Sequence, residues 1–219
     1  FTSRIAFITV GVWRALFAQI PFYYLPKDKS IKFKAEWIGK GFQELKKVYK
    51  EMQTKPLLKR FLSALFVYDM GVMTIIYVAA LFADKELNIP TNGLILCILL
   101  IQLVAIPGSF MASWLSKKYG NTIALRIIIA IWSLTPLAAY FTTSAEQFYV
   151  IASVVGLVMG AVQSLSRSTY AKLIPDYTKD VASYFSFYDV VERSATAIGT
   201  FLFGFIIQQT GNMRNSVLM

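Results

Sequence analysis

Six stretches of about 20 mostly apolar residues, each long enough to cross a hydrocarbon core about 30 Å thick, leave this chain few ways to fold. They run 4–24, 61–82, 93–115, 123–142, 148–173 and 184–208. With no water in the bilayer core, every backbone amide needs a protein partner, so stretches of this length predict helices. A barrel would need alternating strands of about 10 residues, and the sequence has no such alternation. The expected fold class is an all-α membrane protein. Composition agrees: 56% of the residues are hydrophobic and 16% charged, whereas soluble domains carry about 25% charged residues. The one cysteine, Cys97, excludes an internal disulfide, and the absence of histidine excludes histidine-based catalysis and most zinc or haem sites. No cofactor and no metal are expected. The opening run is too long for a signal peptide and lacks a small-residue cleavage pattern. The chain is expected to be a piece of a longer protein, open at both ends.

Charge in the connecting segments orients the bundle. Residues 25–60 hold eleven Lys/Arg, among them Lys27, Lys46, Lys47, Lys59 and Arg60, against the acids Asp28, Glu36, Glu44 and Glu51. Segment 116–122 adds Lys117 and Lys118; segment 174–183 adds Lys179 beside Asp176 and Asp180, with Lys172 just before it. The alternate segments are poor in lysine: 83–92 has Asp84, Lys85 and Glu86, and 143–147 has Glu146 alone. The positive-inside rule therefore places the first set, including 25–60, in the cytoplasm. The net charge of +10 comes mostly from that one connector and points to anionic lipid headgroups rather than nucleic acid, since no recognition motif accompanies it. Within the connector Ile38, Phe42, Leu45, Tyr49 and Met52 recur at helical spacing among lysines. Two readings stand: an amphipathic helix on the membrane surface, or a linker helix packed on its own bundle.

Ala152, Gly156, Gly160, Ser164 and Ser168 lie four residues apart. Small residues in that register let helix backbones approach closely where no hydrophobic effect drives association. Pro107 and Pro136 fall inside the third and fourth segments, where each removes a ladder hydrogen bond and predicts a kink.

Charges at mid-bilayer cost about 2.5–3.5 kcal/mol on insertion scales, so each calls for a reason. Asp69 lies roughly 12 Å into the second segment at the helical rise, with no basic residue three or four positions away. Asp189, Glu192 and Arg193 occur in the sixth, Arg167 in the fifth and Arg14 in the first. As solute ligands or proton-coupling groups, the candidates are Asp69, Asp189, Glu192, Arg193, Arg167 and Gln163. A structural role is the alternative: Asp189 and Arg193, four apart, can neutralise each other, and Arg167 can reach for the headgroups.

The order of features resembles the second half of a major facilitator superfamily transporter. A basic connector is followed by Trp114-Leu115-Ser116-Lys117-Lys118-Tyr119-Gly120 between the third and fourth segments. Tyr68-Asp69-Met70-Gly71, Gln102-Leu103-Val104-Ala105-Ile106-Pro107-Gly108, Gln163-Ser164-Leu165-Ser166-Arg167-Ser168, Leu173-Ile174-Pro175 and Phe185-Ser186-Phe187-Tyr188 resemble its vacuole-effluxer branch, the autophagy-related amino-acid exporters. The resemblance implies about six spans of an expected twelve. Residues 1–24 would be the last helix of the N-terminal half, 25–60 the cytoplasmic basic connector, and 61–219 an incomplete C-terminal bundle. It also implies a cytoplasmic gate loop at Lys117, Lys118 and Gly120. The superfamily loop pattern, Gly-x-Leu-Ala-Asp-Arg-x-Gly, is broken here by Ser113 and Lys117.

The expected function is secondary active transport of a small solute, an amino acid on the resemblance, by alternating access. The expected partners are that solute, a co-transported proton and membrane lipid. The transporter is expected to be a monomer in the plasma membrane, the inner one in a bacterium. A non-transporting receptor or scaffold of the same fold is the alternative. A lipid enzyme is disfavoured, because no clustered nucleophile and base and no Asp-x-x-Asp pair is present.

Overall fold

A computed structural model describes residues 2–24, 36–175, 178 and 180–211, with the backbone alone at 2–4, 6 and 36–38. Lys27, Asp28, Asp176, Lys179 and the side chains of Glu36 and Ile38 lie outside that set. The described residues form seven helices: α1 (Thr2–Tyr24), α2 (Glu36–Thr54), α3 (Pro56–Leu87), α4 (Thr91–Tyr119), α5 (Asn121–Tyr140), α6 (Ala145–Leu173) and α7 (Val181–Thr210). Among these residues, α3 to α7 are long and apolar enough to cross a membrane, and the protein is an integral membrane protein. The chain divides into two units, Phe1–Lys40 and Gly41–Met219. In the first, α1 is helical where the sequence predicts it, with the Trp13 and Phe17 rings in tilted contact at 4.3 Å between ring centres. Its passage through a membrane rests on the sequence.

In the second unit the helix ends follow local chemistry. Pro56 opens α3 at a position where its missing N–H is no loss. Asn88, at φ 51°, closes it in the left-handed region and donates its N–H to Ala83, a standard cap for a residue that tolerates that conformation. Ser144 accepts the Gln147 N–H at the start of α6, and Gln147 Oε1 accepts from the Thr143 N–H. Both predicted proline sites sit inside unbroken helices. At Pro136 the absent N–H leaves the Trp132 carbonyl without its usual donor, and the Thr135 hydroxyl supplies one at 2.7 Å.

Packing then follows the small residues. α6 is the central helix, with half of its most apolar stretch buried, against 11% for α4. α4 lies along α6, and α3 along α7. A Cβ on Gly156 would lie 2.5 Å from the Ile101 carbonyl oxygen. Cβ atoms on Gly160 and Gly108 would collide with the carbonyls of Ala105 and Leu157. The α4–α6 crossing is therefore backbone against backbone, and Ser109 adds a hydroxyl bond to the Gly160 carbonyl at 3.2 Å. The predicted ridge serves this crossing as far as Gly160. Beyond it Ser164 is exposed and turns its hydroxyl back onto the Ala161 carbonyl.

α2 resolves the two readings of the connector helix in an unexpected way. Val48 and Met52 are buried with Leu58, Leu62, Leu65, Tyr170, Ile174, Tyr184 and Tyr188, so one edge packs on the bundle. Phe42 and Tyr49, predicted for the same apolar face, remain 72% and 51% exposed. Two polar ties fix the packed edge: Lys47 to Asp180 at 3.0 Å, and the Tyr184 hydroxyl to Glu51. A hydrogen bond to a charged group contributes about 1.5–3 kcal/mol. Tyr184→Phe should therefore lower thermal stability, and a double-mutant cycle with Glu51→Gln should show that most of the loss is shared.

Candidate functional site

Four of the charges that the sequence scatters over its spans, Asp69, Arg167, Asp189 and Glu192, converge in space. Arg167 on α6 reaches across to α7, where its Nη2 contacts Asp189 Oδ1 at 3.1 Å and Glu192 Oε2 at 3.0 Å. Asp189 and Glu192 are three residues apart, so they share a helix face and present two carboxylates to one guanidinium. The guanidinium also lies over the Tyr188 ring, 5.2 Å from its centre, within cation–π range.

Asp69 on α3 completes the cluster. It is 4% exposed and within electrostatic reach of both Glu192 and Arg167. Its Oδ2 has no hydrogen-bond partner among the described residues. A buried carboxyl oxygen with no donor is costly unless something satisfies it, and a proton or a bound cationic group would do so. Next to it Tyr68 exchanges a hydrogen bond with Ser166 at 2.7 Å, linking α3 to α6 one residue from each of Asp69 and Arg167.

The in-helix pairing of Asp189 with Arg193 does not form. Arg193 is exposed and makes no ion pair among the described residues, because Arg167 from the neighbouring helix takes Asp189 and Glu192 together. The headgroup-seeking reading of Arg167 gives way for the same reason. Gln163, one turn before Arg167, is half-buried. Three contributors escaped the sequence reading: Tyr68, Ser166 and Tyr188. All lie inside the quoted motifs, beside the charges, and their hydroxyls or ring faces were the available signal.

At the lysine-rich end, Gly120 adopts φ +82° between α4 and α5. Lys118 folds over the rings of Trp114 at 5.3 Å and Tyr119 at 5.1 Å, and Lys117 is exposed. The polar junction itself is made by Asn121, which the sequence reading passed over. Its Oδ1 accepts from Ser116 and from Lys172 at 2.9 Å, and its Nδ2 donates to Ser168 and Thr169, each at 3.2 Å. One side chain thus ties the α4–α5 turn to the end of α6. An Asn121→Ala variant should loosen this turn, read as faster hydrogen exchange at 116–121 with little change elsewhere.

A separate cavity of about 380 Å³ opens among α3 to α7, lined mainly by apolar residues such as Ile75, Val78, Trp132, Val155 and Phe203. Tyr68 borders it, whereas Asp69, Arg167, Asp189 and Glu192 do not. The charged cluster is therefore a polar seam between helices and not the floor of that cavity.

The family model for vacuole effluxer Atg22-like proteins matches residues 1–219. The chain is similar to an uncharacterised MFS-type transporter, YxiO, of Bacillus subtilis, at 28% identity over 98% of this chain and 50% of the relative. Autophagy-related protein 22 of Cryptococcus neoformans is 29% identical over 100% of this chain and 42% of its own length. Autophagy-related protein 22 of Pichia angusta is 31% identical over 70% of this chain and 29% of its own length. The chain thus spans half or less of the length of these relatives. No solved structure gives a significant match.

Proposed function

Because this chain belongs to the vacuole effluxer Atg22-like family, we propose that it forms part of a secondary active transporter that moves a small solute, an amino acid in the first instance, by alternating access. The observation that carries the reading is the seam of Arg167, Asp189 and Glu192 beside the unpartnered carboxyl of Asp69. Ionisable groups are retained inside membrane spans at an energetic cost, and they mark ion and substrate pathways. The cluster has the parts that coupled transport needs. Asp69 takes and releases a proton or meets the ammonium of a solute, and Arg167 meets a carboxylate when Asp189 and Glu192 release it. A switch of partners by one guanidinium gives a discrete two-state element of the kind that couples distant sites.

The relatives support this reading: one is named an MFS-type transporter and the family a vacuole effluxer. The same relatives, at least twice as long as this chain, support the domain reading. On it residues 1–24 end an N-terminal half, 25–60 connect the halves on the cytoplasmic side, and 61–219 belong to a C-terminal bundle. Transporter kinship also argues for a non-enzymatic role.

The test is flux by the full-length protein in proteoliposomes, with and without a proton gradient. Gradient-driven amino-acid uptake in the native form, lost in Asp69→Asn with folding intact, is the expected result. Unaltered gradient-driven flux in Asp69→Asn would remove Asp69 from the coupling step. No flux of any amino acid would overturn the solute class.

A further inference from the structure

α2 is a helix with two different edges: the bundle buries one, and on the other meets the Tyr49 ring alone, through Phe187 of α7 at 6.3 Å between ring centres, with Tyr49 still 51% exposed. Seen down its axis, Leu45, Val48 and Met52 form the edge toward the core, with Val48 2% and Met52 8% exposed. Both described acids, Glu44 and Glu51, lie on one flank of that edge at the helical repeat of 100° per residue. They are occupied there, Glu44 beside Lys47 at 3.8 Å and Glu51 with the Tyr184 hydroxyl. The other flank holds Phe42, Tyr49, Lys46, Lys50 and Gln53, all exposed and without a carboxylate.

Two exposed rings on one stripe, seven residues apart, bordered by lysines and free of acids, form the pattern that binds anionic bilayer surfaces. Placement favours the same partner. α2 is joined to the membrane-crossing α3 through Lys55 alone, and the first turns of α3 expose Leu57, Lys59 and Arg60. The free flank therefore stands at the lysine-rich end of the spans, where the membrane's own headgroups are the nearest surface.

We propose that the Phe42–Tyr49 flank of α2 is an anionic-phospholipid contact, with the two rings seated at the headgroup level and Lys46 and Lys50 paired to lipid phosphates. The packed edge holds the helix against α7 through Lys47–Asp180 and Glu51–Tyr184, so lipid occupancy is felt at the start of the helix that carries Asp189 and Glu192.

The test uses the full-length protein in lipid nanodiscs, with Phe42→Cys carrying an environment-sensitive fluorophore in a background where Cys97 and every other native cysteine are replaced by alanine. In phosphatidylcholine discs containing phosphatidylglycerol, the probe should shift to the blue and be quenched by headgroup-labelled lipid. In pure phosphatidylcholine it should report water. Each charge removed in Lys46→Gln and Lys50→Gln should lower the anionic-lipid preference on the order of fivefold, from about 1 kcal/mol per basic residue near such a surface. Both lysines are exposed, so the variants should fold, with the melting curve as the check. An equal signal in the two lipids, or a preference that survives both substitutions, would overturn the proposal. A dry but unquenched probe would assign the flank to a protein surface instead, and would overturn it equally.

Discussion

Replacing Gly160 by valine is expected to abolish recovery of folded protein. The α4–α6 crossing has no space for a side chain at this point, because even a Cβ would strike the Ala105 carbonyl, which is main chain and cannot rotate aside. Overpacking a well-filled core usually costs about 1–3 kcal/mol, and here the only relief is to separate two helices along a shared backbone seam. Gly156 and Gly108 lie on the same seam, so displacement at one site also opens the others. A loss above about 3 kcal/mol is expected, a large share of the roughly 5–15 kcal/mol available to a typical folded domain. Size-exclusion chromatography of a fluorescent fusion in mild detergent would read this as loss of the monodisperse peak. The control is Gly204→Ala, at a helical position where a Cβ would meet nothing within 4 Å. There the better helix former should hold or raise stability by up to about 1 kcal/mol. A normal peak for Gly160→Val would show that α4 and α6 do not meet through their backbones.

That crossing was legible in the sequence because its signal is local: small residues every four positions on one helix leave few uses other than close approach in lipid. Five of the six expected spans, α3 to α7, were legible for the same reason, although the helices outrun them. The segment predicted at 61–82 is the apolar middle of Pro56–Leu87. Hydropathy marks the stretch that suits lipid, whereas hydrogen bonding continues through Lys59, Arg60 and Asp84 until Asn88 turns the chain. The charged cluster was legible as a set of residues but not as a set of pairs. Spacing along α7 suggests Asp189 with Arg193, since four residues make one turn. Only the placement of α6 against α7 reveals that Arg167 is closer to both acids than Arg193 is. Asn121 was hidden for a different reason. A polar residue after a glycine is ordinary at a helix start, and its four bonds all go to groups on α4 or α6, either at the preceding turn or about 50 residues away.

Substituting Arg167 is expected to have the largest effect on transport of any single charge. In Arg167→Gln the carboxylates of Asp189 and Glu192 lose their shared cation, and Asp69 is left with the like charge of Glu192 and without the opposing one of Arg167. The ion pairs are half-exposed, so their contribution to stability is modest, on the order of 1 kcal/mol or less, and the variant should fold. Its transport should nevertheless fall by at least tenfold, about 1.4 kcal/mol at the barrier, because the partner exchange proposed for the cycle has lost its moving charge. Arg167→Lys separates charge from shape. Both carboxylates contact the same nitrogen, Nη2, so one ammonium with three donors can reproduce both contacts, while the guanidinium's place over the Tyr188 ring is lost. Lysine should therefore keep folding and a measurable part of the flux, and glutamine should keep folding alone. Equal, near-native flux in both variants would mean that the seam only holds α6 to α7. Equal loss in both would mean that the guanidinium plane, rather than its charge, does the work. The ordering native, lysine, glutamine is the one that a charge switching partners between two helices requires.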